Sequence, residues 1–144
     1  MTPFTPRRVL KLDDEQLRAP GLSWSKIRTL RGVARSVVHD GLDLKRLKVL
    51  GEDDVHTQLT AISGIGPWTA DIYIMFCLGR ADAWASGDLA LQVAMQGLLG
   101  LSDRPRPEEA ATLAEPWRPW RGVAARLLWA YYAAVRQPKS GAPI

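Results

Sequence analysis

The sequence predicts an all-α fold in a single domain. Apolar residues recur at helical spacing along most of the chain, glycines and prolines separate these runs, and strand-like alternation is nearly absent. A length of 144 residues, with 47% apolar and 24% charged side chains, is typical of one globular domain with its own core. We therefore expect one helical domain over residues 1–144.

Two helices are predicted in the first third of the chain. Acidic residues in a first turn and a stop before Pro20 predict a short helix from Asp13 to Arg18. Ser23 opens a longer helix that ends near Gly41, because its apolar residues recur at helical spacing. These apolar residues, which we expect to face the core, are Trp24, Ile27, Leu30, Ala34, Val37 and Val38.

The remaining helices follow in quick succession. One or two helical turns over residues 43–49 precede a helix, hairpin and helix over about 52–78. A loop segment over about 79–91 leads into a helix from Asp88 to Leu99, and two C-terminal helices occupy about 108–136. We expect the tail 138–144 to fray.

Composition excludes several classes of protein. The lone Cys77 excludes a disulfide framework, a four-cysteine zinc site and a cysteine-ligated iron–sulfur cluster within this chain. No apolar run approaches the roughly 18 residues of a membrane span, and Met1 to Lys11 lacks the apolar stretch of a secretory signal. We expect a soluble cytoplasmic protein, associated with the nucleoid if the source is bacterial.

Charge is unevenly distributed along the chain. The net charge is +6 over residues 1–50, −5 over 51–100 and +3 over 101–144. A pI near 9.6 is compatible with a nucleic-acid partner, although an overall charge of +4 is by itself a weak indication.

A glycine-rich turn lies within the acidic middle segment. Ser63-Gly64-Ile65-Gly66-Pro67 contains two residues able to take positive φ and a proline suited to the first position of a helix. Unpaired amides at a helix start bind phosphate, so this turn is a candidate phosphate site that needs no basic side chain. An ordinary connection between two helices explains the turn equally well.

A longer motif surrounds this turn and extends in both directions. It reads Leu59-Thr60-Ala61-Ile62-Ser63-Gly64-Ile65-Gly66-Pro67-Trp68-Thr69-Ala70-Asp71. This segment resembles the helix-hairpin-helix of the DNA glycosylase superfamily, in its DNA-3-methyladenine glycosylase II branch, with Ser63 in place of the usual proline. Further matches are Gly21-Leu22-Ser23 with Lys26, the loop from Arg80 to Leu91, and Trp117-Arg118-Pro119-Trp120-Arg121 with Ala124 and Trp129. The likeness extends from about residue 12 to residue 136.

The resemblance implies a catalytic role for Asp88. A carboxylate beside the sugar stabilises the positive charge that develops when a base is excised. The same aspartate, placed before Leu-Ala-Leu, is also a good helix N-cap, and that reading needs no catalysis. Superfamily members that also cleave the DNA backbone carry a lysine where this chain has Trp68, so a monofunctional hydrolase is implied.

The other site residues follow from the same resemblance. Trp68 and Trp120 match aromatic positions of the base pocket, which suits a cationic alkylated purine, and Tyr73 is a candidate third wall. Trp24, Trp84 and Trp129 are expected in the core. The residues implied to contact double-stranded DNA through the hairpin are Gly64, Ile65, Gly66, Thr69 and Ala70. No organic cofactor is implied, and the carbonyls of Thr60, Ile62 and Ile65 are implied to hold K⁺ or Na⁺.

The amino end departs from the family pattern. Family members ordinarily have several helices before the segment that matches Gly21-Leu22-Ser23. We expect this chain to be a fragment, a compact relative, or a polypeptide whose missing helices come from a partner, and exposed apolar faces then predict self-association. A DNA-binding remnant without catalysis is the alternative function, and a lyase acting on oxidised bases is disfavoured by Trp68.

Overall fold

The computed structural model describes residues 4–136, and every regular element among them is helical. This result agrees with the all-α prediction. The α-helices are α1 (Pro6–Val9), α2 (Asp14–Arg18), α3 (Trp24–Val38), α4 (Glu52–Thr60), α5 (Pro67–Phe76), α6 (Leu89–Leu99), α7 (Pro107–Ala114) and α8 (Arg121–Arg136). Short 3₁₀ turns occupy Arg46–Lys48 and Glu115–Trp117. The predicted frayed tail, 138–144, lies outside the described residues.

The chain divides by its internal contacts into two compact units. The N-terminal unit is Met1–Ala70 and the C-terminal unit is Asp71–Ile144. The prediction of a single domain over the whole chain therefore stays a prediction.

Helix α3 is the centre of the N-terminal unit, and α1 and α2 pack against it. Asp13 and Gln16 form a reciprocal capping box at the start of α2. At the start of α3, the Ser23 hydroxyl accepts a hydrogen bond from the backbone amide of Lys26. Arg31 donates to the Leu12 carbonyl at 2.8 Å and to Asp14 at 2.7 Å. The apolar residues buried in this unit include Val9, Leu17, Ile27, Ala34, Leu47, Val55 and Leu59.

One expectation for this unit is wrong, and one helix was missed. Helix α1 was not predicted, although Thr5 caps it and Pro6 occupies its first position, a recognisable start signal. Residues 43–49 contain a 3₁₀ turn at Arg46–Lys48, which agrees with the one or two helical turns predicted there. Trp24 is not in the core: it is 51% exposed, and the Arg18 guanidinium lies 4.7 Å from the centre of its ring.

In the C-terminal unit, α6 packs against α7 and α8. Small side chains allow close approach, since the position of a Cβ on Gly97 of α6 would lie 3.2 Å from the Tyr131 hydroxyl of α8. The buried apolar residues of this unit include Leu91, Ala94, Met95, Ala110, Ala114, Ala125 and Leu128. Their burial supplies most of the free energy that holds these helices together.

The start of α8 is fixed by the loop that precedes α6. The Gly122 amide donates to the Ala81 carbonyl at 2.7 Å. A Cβ on Gly122 would lie 2.8 Å from that oxygen and 3.2 Å from the carbonyl oxygens of Arg80 and Ala83. Only glycine lets three backbone carbonyls approach the first turn of α8 this closely.

An ion-pair network reinforces the same junction. Arg121 is buried and binds Asp82 through two nitrogens, Nε and Nη2, each at 2.9 Å. Glu115 accepts from Arg121 at 3.1 Å and from Arg118 at 2.7 Å, and Arg118 also reaches Asp82 at 2.7 Å. These contacts, led by the hydrogen bond from Arg121, lower the pKa of Asp82 below its ordinary value.

Among residues 4–136, no helix combines the length and apolar character needed to cross a bilayer.

Replacing Asp82 with Asn should destabilise the fold in a pH-dependent manner. A carboxylate whose pKa is lowered by folding contributes stability above its unfolded pKa of about 3.9, and this stability is lost as pH falls through the folded value. We expect D82N to cost about 2 kcal/mol at neutral pH, because buried Arg121 loses its bidentate carboxylate partner and keeps the single 3.1 Å contact with Glu115. Chemical denaturation of both proteins from neutral to strongly acidic pH measures the difference, which should shrink toward zero at the acidic end.

Glu109 offers a matched control for this experiment. Its pKa is also lowered, first by the hydrogen bond from Arg106, but the pair is exposed and lies within one helix turn. Solvent screens such pairs, so E109Q should leave stability nearly unchanged at every pH. An equal loss in E109Q and D82N would contradict the role given to the Asp82 network.

Candidate functional site

The turn between α4 and α5 has the predicted helix-hairpin-helix form. Helix α4 ends at Thr60, and α5 begins at Pro67, the expected first helical position. Gly64 has φ = +91°, whereas Gly66 does not take positive φ. Of the two glycines able to take positive φ, Gly64 is the one that does so.

The hairpin lies directly against α3 within the N-terminal unit. A Cβ on Gly64 would fall 2.0 Å from the hydroxyl oxygen of Thr29 and 3.0 Å from its Cβ. Ile62 is buried, and its Cγ2 reaches within 3.4 Å of the Cβ position on Gly32. Gly64 is thus required both by its backbone conformation and by the closeness of α3.

Some hairpin amides already have acceptors inside the protein. The Ile65 amide donates to the Ile62 carbonyl at 3.0 Å, and the Ala70 amide donates to the Gly66 carbonyl at 3.1 Å. Ala70 is also fully buried. The first turn of a helix leaves its own amides without intrahelical acceptors, so Gly66 and Thr69 are better placed than Ile65 or Ala70 to bind an anion.

The three predicted cation ligands are backbone carbonyls of this hairpin. Neutral carbonyl oxygens suit a hard monovalent ion, and the Ile62 oxygen keeps a second lone pair after accepting from Ile65. Thr60 ends α4, so its carbonyl belongs to a last turn with unused acceptors. Within residues 4–136, no cluster of three His, Cys, Asp or Glu side chains could hold a metal ion.

Asp88 occupies the N-cap of α6 and is 9% exposed. Its Oδ1 accepts the Leu91 amide at 2.9 Å, and its own amide donates to the Ala85 carbonyl at 3.0 Å. The buried Gln92 donates to the Ser86 carbonyl at 2.8 Å, which holds the loop before the aspartate. Asp88 therefore has the N-cap role that the sequence suggested, and its carboxylate is held in one orientation.

Trp129 contributes a second hydrogen bond to the same oxygen. Its Nε1 donates to Asp88 Oδ1 at 3.1 Å, and its ring stacks on Phe76 at 5.7 Å with an interplanar angle of 29°. The expectation that Trp129 serves only as a core residue is incomplete, because it also orients Asp88. A half-buried indole needs an acceptor, but the sequence does not say which one folding brings to it.

The aromatic residues predicted for the base pocket all present some surface. Trp68, in the N-terminal unit, is 49% exposed, and Trp120, in the C-terminal unit, is 61% exposed. Tyr73 is half-buried, and burial, followed by the nearby Cys77, raises the pKa of its hydroxyl. Trp84 packs edge-on against Trp117 at 5.7 Å and is half-buried, as a packing residue would be.

Known proteins resemble this chain over most of its length. It is 31% identical over 126 residues to an alkylbase DNA glycosidase-like protein of Schizosaccharomyces pombe, covering 87% of this chain and 59% of that protein. The solved 3-methyladenine DNA glycosylase Mag1 of S. pombe, in complex with abasic DNA, superposes with a TM-score of 0.80 at 29% identity, covering 87% of this chain and 61% of that one. A DNA-3-methyladenine glycosidase of Bacillus halodurans gives a TM-score of 0.80 at 33% identity, covering 92% of this chain and 61% of that one.

In its motif, its fold and these relatives, the chain is similar to the DNA glycosylases of the helix-hairpin-helix superfamily. It spans about three fifths of the length of these relatives. No family model matches the sequence.

Replacing Gly64 with Ala should destabilise the hairpin. An L-residue in the left-handed region costs about 1–2 kcal/mol, and the clash with Thr29 adds to this cost. We expect a loss of at least about 2 kcal/mol in the free energy of unfolding, measured by chemical denaturation.

Gly66 is the matched control for Gly64. Nothing lies within 4 Å of a Cβ built on Gly66, so G66A should fold with nearly unchanged stability. Adding Thr29→Ala to G64A should recover part of the loss, because it removes the hydroxyl that clashes. Equal stabilities of G64A and G66A would contradict the proposed packing of the hairpin on α3.

Proposed function

We propose that this protein is a DNA base-excision repair glycosylase that hydrolyses the N-glycosidic bond of alkylated purines in double-stranded DNA. The observation that carries the proposal is Asp88, a buried carboxylate at the start of α6 whose Oδ1 is oriented by Leu91 and Trp129. Support comes from the relatives named for alkylated bases and 3-methyladenine, which match 87% to 92% of this chain.

The chemistry requires a negative charge beside the sugar. As the bond from C1′ to the base nitrogen breaks, its electron pair leaves with the base, and the sugar becomes an oxocarbenium ion. Alkylation makes the purine cationic, so the departing base becomes neutral without a general acid. The Asp88 carboxylate stabilises the sugar cation, water adds to C1′, and the proton lost from that water passes through the carboxylate to solvent.

The aromatic side chains would bind the damaged base. Trp68 and Trp120 expose about half of their surface or more, and an electron-rich indole attracts a cationic purine stacked on its face. Tyr73 would provide a further half-buried wall. Trp68 has no nucleophilic amine, so no Schiff base with the sugar can form there, and the reaction would be hydrolysis without backbone cleavage.

The hairpin would hold the DNA backbone. Gly64, Gly66 and Thr69 would present amides to a phosphate, at a helix start whose dipole favours an anion. Since Ile65 and Ala70 already donate inside the protein, they would contribute contact surface only. A K⁺ or Na⁺ ion on the carbonyls of Thr60, Ile62 and Ile65 would place positive charge beside the same phosphate, and no organic cofactor is needed.

A protein partner is also part of the proposal. One face of α8 exposes Val123, Leu127, Tyr131 and Val135 at helical spacing, and Trp120 precedes them. Such a face supports self-association, or a partner that supplies further helices, since the chain spans about three fifths of the relatives' length. In a bacterial source the protein would act in the cytoplasm, on the DNA of the nucleoid.

A DNA-binding role without catalysis is the second candidate. It is favoured by the capping geometry, because Asp88 Oδ1 already serves two hydrogen bonds that stabilise the fold. A structural aspartate would look the same in these contacts. Base release by an Asp88 variant separates the two functions.

Replacing Asp88 with Asn should abolish most base release while leaving the fold intact. Asparagine caps a helix as well as aspartate does, and its carbonyl oxygen can accept from Leu91 and Trp129, so the charge is removed while both of these hydrogen bonds can remain. We expect single-turnover release of 3-methyladenine from methylated duplex DNA to fall at least about 100-fold. Thermal unfolding should change little.

Asp103→Asn is the control, since Asp103 lies exposed in a loop of the same unit. Within residues 4–136, its side chain accepts one hydrogen bond, from the Ser102 hydroxyl. It should retain full base release. Equal release by D88N and wild type would overturn the catalytic assignment and leave the DNA-binding role.

Replacing Trp129 with Phe should lower kcat and leave KM unchanged. Phenylalanine keeps the stacking on Phe76 but removes the donor to Asp88, so the carboxylate would lose orientation rather than substrate affinity. We expect kcat to fall about 10-fold, which corresponds to one lost hydrogen bond to a charged group. Trp117→Phe, in the edge-on pair with Trp84, is the matched control, and a rise in KM alone for W129F would contradict the positioning role.

A further inference from the structure

Arg126 carries a positive charge that the fold does not neutralise. Its side chain is exposed on α8, and its guanidinium carbon lies 5.0 Å from the centre of the Phe76 ring. Within residues 4–136, no carboxylate lies at ion-pair distance from Arg126. Arg118 and Arg121, which precede it on the chain, are both paired with Asp82 and Glu115.

The position of this charge is tied to Asp88 by a short series of contacts. Phe76 is 50% exposed and stacks on Trp129 at 5.7 Å, and Trp129 donates to Asp88 at 3.1 Å. Arg126 and Trp129 are three residues apart on α8 and therefore share one face of the helix. The guanidinium thus lies on the same part of the C-terminal unit as the carboxylate.

The arrangement suits a phosphate better than a second structural role. The aromatic ring holds the guanidinium in one orientation, which reduces the entropy lost when it binds a ligand. A guanidinium binds phosphate oxygens through two parallel hydrogen bonds. The chain from 51 to 100 carries a net charge of −5, so an unpaired arginine near Asp88 would also offset repulsion of a DNA backbone.

We propose that Arg126, oriented by Phe76, binds a backbone phosphate of the damaged strand next to the nucleotide that is acted on at Asp88. The identity of that nucleotide rests on the proposed function. A basic side chain of the C-terminal unit thereby adds a second backbone contact to the one made by the hairpin amides. Phe76 acts through Arg126 and is a positioning residue.

The salt dependence of DNA binding tests this contact. The probe is a duplex containing a tetrahydrofuran abasic analogue, which requires no base release, and the variants are Arg126→Met and Arg104→Met. Each variant removes one exposed arginine of the same unit that has no ion pair within residues 4–136, so the two change net charge equally. One lost phosphate contact lowers the slope of log Kd against log salt by about 0.9.

We therefore expect R126M to bind more weakly than wild type at low salt. The ratio of its Kd to that of wild type should fall about 3.5-fold as salt rises from about 50 to about 200 mM. R104M should show the wild-type slope. Identical slopes for R126M and R104M would overturn the proposal, as would the absence of duplex binding by wild type.

A substrate modified one phosphate at a time locates the contact. Methylphosphonates that neutralise single phosphates flanking the analogue should weaken wild-type binding at one position, and that position should have no further effect in R126M. Additive losses at every flanking position would show that Arg126 binds elsewhere. Phe76→Leu should give part of the R126M effect, while Arg126→Lys should keep the wild-type slope with weaker binding.

Base release by the same proteins keeps this proposal separate from the proposed function. If wild type releases no base from methylated DNA but R126M alone shows the reduced slope, the glycosylase function fails and the phosphate site stands. If wild type releases base and R126M matches R104M in slope, the function stands and the phosphate site fails. Circular dichroism spectra should be the same for all of these variants, because Arg126 is exposed.

Discussion

The bidentate ion pair between Asp82 and Arg121 is the contact on which the C-terminal unit depends. Together with the hydrogen bond from Gly122 to Ala81, it fixes where α8 starts and how its first turn meets the loop before α6. The rest of α8 then follows at 1.5 Å per residue, so Trp129 reaches Asp88 and Arg126 reaches Phe76. Burying an unpaired arginine would be unfavourable, but the buried Arg121 is paired with the carboxylates of Asp82 and Glu115.

The sequence predicted the helices well because capping and breaking residues are local signals. Asp13, Ser23 and Pro67 begin helices where expected, and α4, α5 and α6 lie where the apolar spacing indicates. The wrong expectation concerns what surrounds a side chain in the fold, not the helical spacing of the sequence. Trp24 has the spacing of a core residue yet lies exposed, and its ring lies against the charged side chain of Arg18 from α2.

The candidate site was predictable only in part. The hairpin and Asp88 follow from a continuous motif, whereas the partner of Asp88 lies 41 residues away on another helix. Likewise, nothing in the sequence around Gly64 indicates that Thr29 would lie against it. Contacts of this kind depend on how helices pack, and spacing along a single segment carries no information about them.

The same oxygen of Asp88 caps α6 and accepts a hydrogen bond from Trp129, so the bonds that stabilise the fold also orient the carboxylate. The side-chain conformational entropy lost in orienting the carboxylate is therefore lost when the protein folds, before any ligand binds. A mobile carboxylate on the surface would instead lose this conformational entropy each time it bound a substrate. Here the orientation is fixed once, on folding, and each cycle of the proposed reaction would begin with a carboxylate that is already aligned.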